Sequence, residues 1–259
     1  MRAIRGISVC TAVFVALAAV GIGPLQWDRS YGDTVTVVPY YEHLEAPGYY
    51  YFDPVTGVDI ERDQIIMDGS LFTGFGGPVV IDSLAFRLDK DASATSASFD
   101  DIQVRLSTAL TTVATLSTTL ANNIGPDETT VFSGPLTLTS SAGAGNPSDF
   151  DLLIPFLVPF QYDPTAGDLL LDWQYTANFG GSSFRIDFNQ HNENPFRNIV
   201  TYAEDSRPAP NGIAEDMLRG GSPIMQFSVS PAVPEPATLL LALLGLACLS
   251  RGFRSRLRR

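Results

Sequence analysis

Several short stretches of this chain alternate apolar and polar residues one by one, and that rhythm limits the fold more than any other feature. In SSFRIDFNQ, Phe184, Ile186 and Phe188 share one face, while Arg185, Asp187 and Asn189 share the other. Leu84, Phe86 and Leu88 alternate with Ser83, Ala85 and Arg87, and Ile102, Val104 and Leu106 alternate with Gln103 and Arg105. Leu169, Leu171, Trp173 and Tyr175 repeat the pattern, as do Met225, Phe227 and Val229. A period of two is the signature of a strand that covers a core with one side and meets water with the other.

Turn chemistry separates these runs. Asp-Pro-Val-Thr-Gly at 53–57 and Asp-Pro-Thr-Ala-Gly at 163–167 use the same device. Asp bonds the turn backbone, Pro presets φ, and Gly accepts a positive φ. About ten strands at such spacing predict an all-β fold, a two-sheet antiparallel sandwich of jelly-roll-like form. The stretch 108–122 stays open, because Val113, Leu116 and Leu120 fit one short helix. Residues 140–148 read as a Gly/Ser/Pro-rich loop. The composition agrees: 45% of residues are hydrophobic, only 17% are charged, and Gly (22) and Pro (18) are plentiful.

Both cysteines, Cys10 and Cys248, lie in the apolar ends, so the body has no internal disulfide, thiolate metal site or Cys nucleophile. Charge is equally uneven. Residues 24–232 hold nine basic and 27 acidic residues, a net charge of about −18. Such a surface repels nucleic acid and anionic lipid.

The start, MRAIRGISVCTAVFVALAAVGIGPLQW, has two arginines followed by an apolar run, the layout of a secretory signal. Ala16-Leu17-Ala18 and Ala19-Val20-Gly21 both offer small residues for cleavage. Near the other end, seven leucines between 238 and 250 contribute about −4 kcal/mol to membrane insertion. As a helix, residues 236–250 would be about 22 Å long against a bilayer core of about 30 Å. Arg251, Arg254, Arg256, Arg258 and Arg259 follow, and the positive-inside rule keeps them in the cytoplasm. Both ends therefore give one topology, with the body outside.

Between body and apolar run stand Val233, Pro234, Glu235 and Pro236. Neither proline donates a backbone hydrogen bond, and Pro236 disfavours helix at Glu235, so the segment reads as an extended peptide that a protease can grip. This motif, the short Leu-rich run and the arginine cluster together resemble the PEP-CTERM sorting signal of exported proteins in polysaccharide-producing Gram-negative bacteria. The resemblance covers residues 233–259. It implies that the chain is a substrate of exosortase, a membrane-embedded enzyme that supplies the nucleophile. It also implies a transient inner-membrane anchor, then release to the cell surface or extracellular matrix. The expected organisation is a signal peptide over 1–23, an ectodomain over 33–230, and the sorting signal over 233–259. Signal helix and transmembrane helix would thus flank the β fold. The phrases FRLD, DIQVRLST, VFSGPLTL, FDLLIPF and PFQYDPTAGDLLLD, between 79 and 175, are similar to those of exported domains preceding such tails. That similarity implies export and a β-sandwich but no activity.

Familiar catalytic arrangements are not found. His43 and His191 form no H-E-x-x-H pair, no G-x-S-x-G is present, and Lys90, the only lysine, lies outside any phosphate-binding loop. Two binding readings remain. Asp89, Asp91, Asp100 and Asp101 flank a Ser/Ala-rich loop, and hard carboxylate oxygens suit a structural Ca²⁺, with solvated loop acids as the rival. Tyr49, Tyr50, Tyr51 and Trp173 offer flat faces to a sugar, although alternation places Trp173 with core residues and sets Tyr50 opposite Tyr49 and Tyr51. The expectation is a non-enzymatic structural or adhesive protein needing no cofactor, with extracellular polysaccharide as a further partner. The alternatives are a carbohydrate-binding module and a polysaccharide-acting hydrolase with two facing carboxylates.

Overall fold

The computed structural model describes residues 35–37, 44–46, 48–52, 60–141, 145–176, 179–181, 184–189, 200–205, 212–214, 216–219 and 221–232. The described strands are, in order, β1 (Val35–Val37), β2 (Gly48–Phe52), β3 (Ile60–Met67), β4 (Val79–Phe86), β5 (Thr95–Thr108), β6 (Thr129–Ser140) and β7 (Leu152–Tyr162). There follow β8 (Leu169–Thr176), β9 (Phe179–Gly181), β10 (Phe184–Asn189), β11 (Val200–Asp205), β12 (Asp216–Arg219), β13 (Ser222–Pro223) and β14 (Met225–Pro231). Helix among the described residues is confined to 3-10 turns at Gly69–Phe75 and Leu120–Asn123. None is long and apolar enough to cross a membrane, and segments 1–23 and 233–259 lie outside the described residues.

Every strand pairing among the described residues is antiparallel. One sheet runs β1-β14-β4-β7, a small one runs β13-β10-β2, and the largest runs β12-β11-β3-β8-β5-β6, with β9 on the first stretch of β5. The small sheet hangs from the end of β4: Leu88 bridges Ile186, and Asp187 N donates to Arg87 O at 3.0 Å. The apolar halves of the alternating runs then do what their period requires. Leu84 and Phe86 from β4 and Phe227 and Val229 from β14 share one core with Val104, Leu106, Leu171 and Trp173 of the largest sheet. The Phe86 and Trp173 rings join those two sheets at a centroid distance of 5.2 Å. Trp173 is fully buried, and a side chain of that size contributes about 2–3 kcal/mol by leaving water.

The turn at 163–167 forms as its residues dictate. Ala166 N donates to Asp163 O at 3.0 Å, and Asp163 Oδ1 accepts from Thr165 N and Oγ1 at 2.9 and 2.7 Å. Its counterpart at 53–57 lies outside the described residues. The stretch 108–122 does not form an α-helix. It makes a turn and then the 3-10 piece, laying Val113, Leu116 and Leu120 over Ile66, Leu170 and Ala203 as a second, smaller core. A run of β-branched threonines disfavours helix, and Asp168 Oδ2 fixes the backbone instead by accepting from Val113 N at 2.9 Å.

Alternation misplaces several side chains, an ion pair among them. Arg87 and Asp187 sit at positions that the period assigns to solvent, yet both are 0% exposed. Residues 44–46 and Phe150 cover them: Arg87 Nη2 donates to Leu44 O at 2.6 Å, Ala46 N donates to Asp187 Oδ1 at 3.1 Å, and the guanidinium lies 5.0 Å from the Phe150 ring centroid.

Candidate functional site

The polar side of the largest sheet is built by strand register. Arg62 on β3 faces Gln174 on β8, which faces Gln103 on β5; one rung further, Gln64 faces Asp172, which faces Arg105. Asp172 is the hub. Its oxygens accept from Arg62 Nε and Nη2 at 3.0 and 2.6 Å, from Gln64 Nε2 at 2.7 Å and from Arg105 Nη1 at 3.3 Å. Arg105 Nη2 also donates to Gln103 Oε1 at 2.7 Å. Burial is the largest single influence on Arg62 and works against its charge, but the bond and charge of Asp172 together with the charges of Glu128 and Asp205 outweigh it and hold the guanidinium protonated more firmly than usual. Asp172 is nearly buried, whereas the two arginine side chains remain 21% and 18% exposed. This surface offers a row of donors around one sequestered carboxylate.

A second charged cluster is closed. Asp187 receives Arg87 Nε at 2.8 Å and Nη2 at 2.6 Å. Burial pushes the Asp187 carboxyl up to about 6, and Arg87 limits the rise. Glu45 stands beside it, also raised by burial. Its Oε1 accepts from Lys90 N at 2.8 Å, while Oε2 is buried with no partner. This cluster ties residues 44–46 to the sheet.

The four aspartates considered for calcium fall in two places, two in the turn after β4 and two on β5. Asp89 is buried, its Oδ1 accepting from Asp91 N at 3.0 Å and lying 3.7 Å from Arg185 Nη2. Asp91 is exposed in the same turn, while Asp100 and Asp101 are exposed where the β5 register shifts between Phe99 and Ile102. Among the described residues no three His, Cys, Asp or Glu side chains gather so as to hold a metal ion. Of the aromatic candidates, Trp173 is core, packed on Phe86 and Tyr175. Tyr49 is 40% exposed, with the Arg185 guanidinium 4.9 Å from its ring centroid. The side chains of Tyr50 and Tyr51, and both histidines, lie outside the described residues.

The remaining feature is where the body ends. β14 lies between β1 and β4, so it is internal to its sheet. Among the described residues β1 accompanies it from Phe227 to Val229, and β4 continues through Ser230 opposite Val80 and Pro231 opposite Val79. One residue beyond, Ala232 N still donates to Pro78 O at 2.9 Å. Pro78 has no N–H to return, so this last rung is half a rung. Ser230 is fully buried, and its Oγ finds no hydrogen-bond partner. Val233, Pro234, Glu235, Pro236 and the five arginines lie outside the described residues.

The sequence signal missed both ion-pair clusters. Arg87 and Asp187, or Arg62 and Asp172, are about a hundred residues apart, and only strand register brings them together.

Among families, the PEP-CTERM protein-sorting motif matches residues 232–259. No curated protein and no solved structure matches the chain. The motif marks an exported, membrane-transiting protein that is recognised and sorted by exosortase.

Proposed function

We propose that this chain is a non-enzymatic surface or matrix protein, cut by exosortase in the Pro-Glu-Pro region at 233–236 and released from a transient inner-membrane anchor. Its body is a jelly-roll-like two-sheet sandwich with a structural or adhesive role. The single observation that carries the reading is positional: the matched motif begins at Ala232, directly after the last described strand ends at Pro231. A folded module followed at once by a sorting signal is what a delivered cargo requires. Asp172 and Asp187 support the non-enzymatic part, because each is buried and held by arginine and so withheld from proton transfer to a substrate. The test is mass spectrometry of both termini of the protein recovered from its own cells, with and without exosortase. The reading expects a new C-terminus near 233–236 only when the enzyme is present, and an intact chain through Arg259 in enzyme-positive cells sinks it.

A second reading, a carbohydrate-binding module for extracellular polysaccharide, is favoured by the Arg62–Gln174–Gln103 row, whose side chains remain partly open. Paired donors of this kind match sugar hydroxyls and carboxylates. A glycan array carrying neutral and uronic-acid polysaccharides tests it: binding that is lost in Arg62→Ala supports it, and no binding at millimolar ligand removes it.

A further inference from the structure

Arg62, Gln174, Gln103 and Ser133 stand side by side at successive paired positions of β3, β8, β5 and β6. At about 4.8 Å per strand the row is about 14 Å long. None of its four side chains is buried.

The network behind the row fixes what it can offer. Fully buried Asn123 donates from Nδ2 to Gln64 Oε1 at 2.8 Å, and Gln64 Nε2 donates in turn to Asp172. Asp172 takes Nε and Nη2 of Arg62, which leaves Arg62 Nη1 unspent. Arg105 Nη2 donates to Gln103 Oε1, so the unspent nitrogen of that amide, Nε2, is a donor. Gln174, between them, makes no hydrogen bond among the described residues and keeps both its donor and its acceptor. The donors are thus set in place before any ligand arrives, which lowers the ordering cost of binding.

Charge decides which ligand suits such a row. The guanidiniums of Arg62 and Arg105 are held by Asp172, and the negative charges of Glu128 and Asp205 also act on Arg62. Three carboxylates against two guanidiniums leave no positive excess, on a body of about −18. A uronate, sulfate or phosphate is repelled by that field. An uncharged sugar oxygen accepts the same donors without the repulsion, and a sugar hydroxyl donates back to Gln174 Oε1 or Ser133 Oγ.

We propose that the Arg62–Gln174–Gln103–Ser133 row binds a neutral, hydroxyl-rich glycan laid across the four strands and discriminates against uronic-acid polymers. Gln174 is the specificity-determining contact, while Asp172 and Arg105 position their neighbours. This rests on the carbohydrate-binding reading above and narrows it. The row has no aromatic ring on which a sugar could stack, so affinity comes from hydrogen bonds, with a Kd on the order of 1 mM for a short oligosaccharide.

The test is isothermal titration calorimetry of the full chain in mild detergent. One set of ligands is neutral oligosaccharides from glucan, mannan, galactan and xylan; the other is alginate and polygalacturonate oligomers. The expected result is binding in the neutral set that changes less than about twofold between about 0.05 and 0.5 M NaCl. Gln174→Ala should weaken it about three- to tenfold, and Gln174→Glu, which keeps the shape and loses the donors, at least as much. Both should unfold at the wild-type urea midpoint, because Gln174 gives up no bond within the described residues. Binding to the uronate set alone, relieved by salt, overturns the neutral assignment and leaves the carbohydrate-binding reading standing. Neutral binding that both Gln174 variants retain in full overturns the row as its site. No binding in either set at millimolar ligand removes the carbohydrate-binding reading, and this inference with it.

Discussion

Replacing Arg87 by Met breaks a fully buried ion pair. Both members of the Arg87–Asp187 pair are 0% exposed, joined at 2.8 and 2.6 Å. Met keeps much of the arginine stem's volume and removes the charge, leaving Asp187 the bond from Ala46 N at 3.1 Å. Breaking one side of such a pair costs about 3–5 kcal/mol, because the other charge stays buried without compensation. That is a third or more of the stability of an ordinary domain. The loss should depend on pH. Asp187 has a folded pKa of about 6, above its ordinary 3.8. The folded state therefore binds the proton more tightly, and its contribution to stability is largest in acid and falls as pH rises from 3.8 through about 6, by about 3 kcal/mol. Without Arg87 the carboxyl rises further, so Arg87→Met should lose its full 3–5 kcal/mol near pH 8 and much less near pH 5, where Asp187 is neutral. Asp187→Asn is the control: it leaves a guanidinium that cannot discharge, so its deficit should not recover in acid. Urea unfolding of the three proteins at both pH values reads this directly. A deficit for Arg87→Met under about 1 kcal/mol at pH 8, or one that is equal at pH 5, would refute the reasoning.

Other substitutions test other parts of the account. Ser230→Ala removes a buried hydroxyl with no partner and should stabilise the domain by about 1 kcal/mol, read as a higher urea midpoint; a lower midpoint contradicts the assignment. Asp172→Ala withdraws the acceptor shared by Arg62, Gln64 and Arg105, and should cost about 2–4 kcal/mol, tempered by the partial exposure of both arginines. Gly125→Ala would set a Cβ 1.8 Å from Thr108 O, so the backbone must move, and a loss of about 3 kcal/mol or more is expected by thermal melting.

The strands of the core were legible because each run carries its own period. Leu84 and Phe86, or Leu169, Leu171 and Trp173, announce their side without reference to any other strand. The turn at 163–167 was legible for the same reason: its hydrogen bonds close within five residues. What a strand meets on its other side is a different matter. Asp187 has the chemistry of a solvent-facing residue, and residues 44–46, over a hundred positions earlier, help to bury it. Likewise Asp172 becomes a hub through the neighbours that β3 and β5 bring to it. At 108–122 the apolar spacing allowed a helix, but threonine content and the tether to Asp168 gave a turn and a second small core. The sorting motif is the extreme local case, written entirely in consecutive residues.

That β14 is an inner strand has a consequence for the order of events during export. β1 and β4 flank it, so neither can complete its ladder until residues 225–231 have crossed. Pairing of Val35 with Val229 spans nearly the whole body, a contact that slow, nonlocal β assembly must wait for. The first sheet closes only as the chain delivers its final strand, and the sorting motif is the next thing to arrive. Completion of the fold and presentation of the tail to the membrane thus coincide in time, so a half-made domain has no tail to offer.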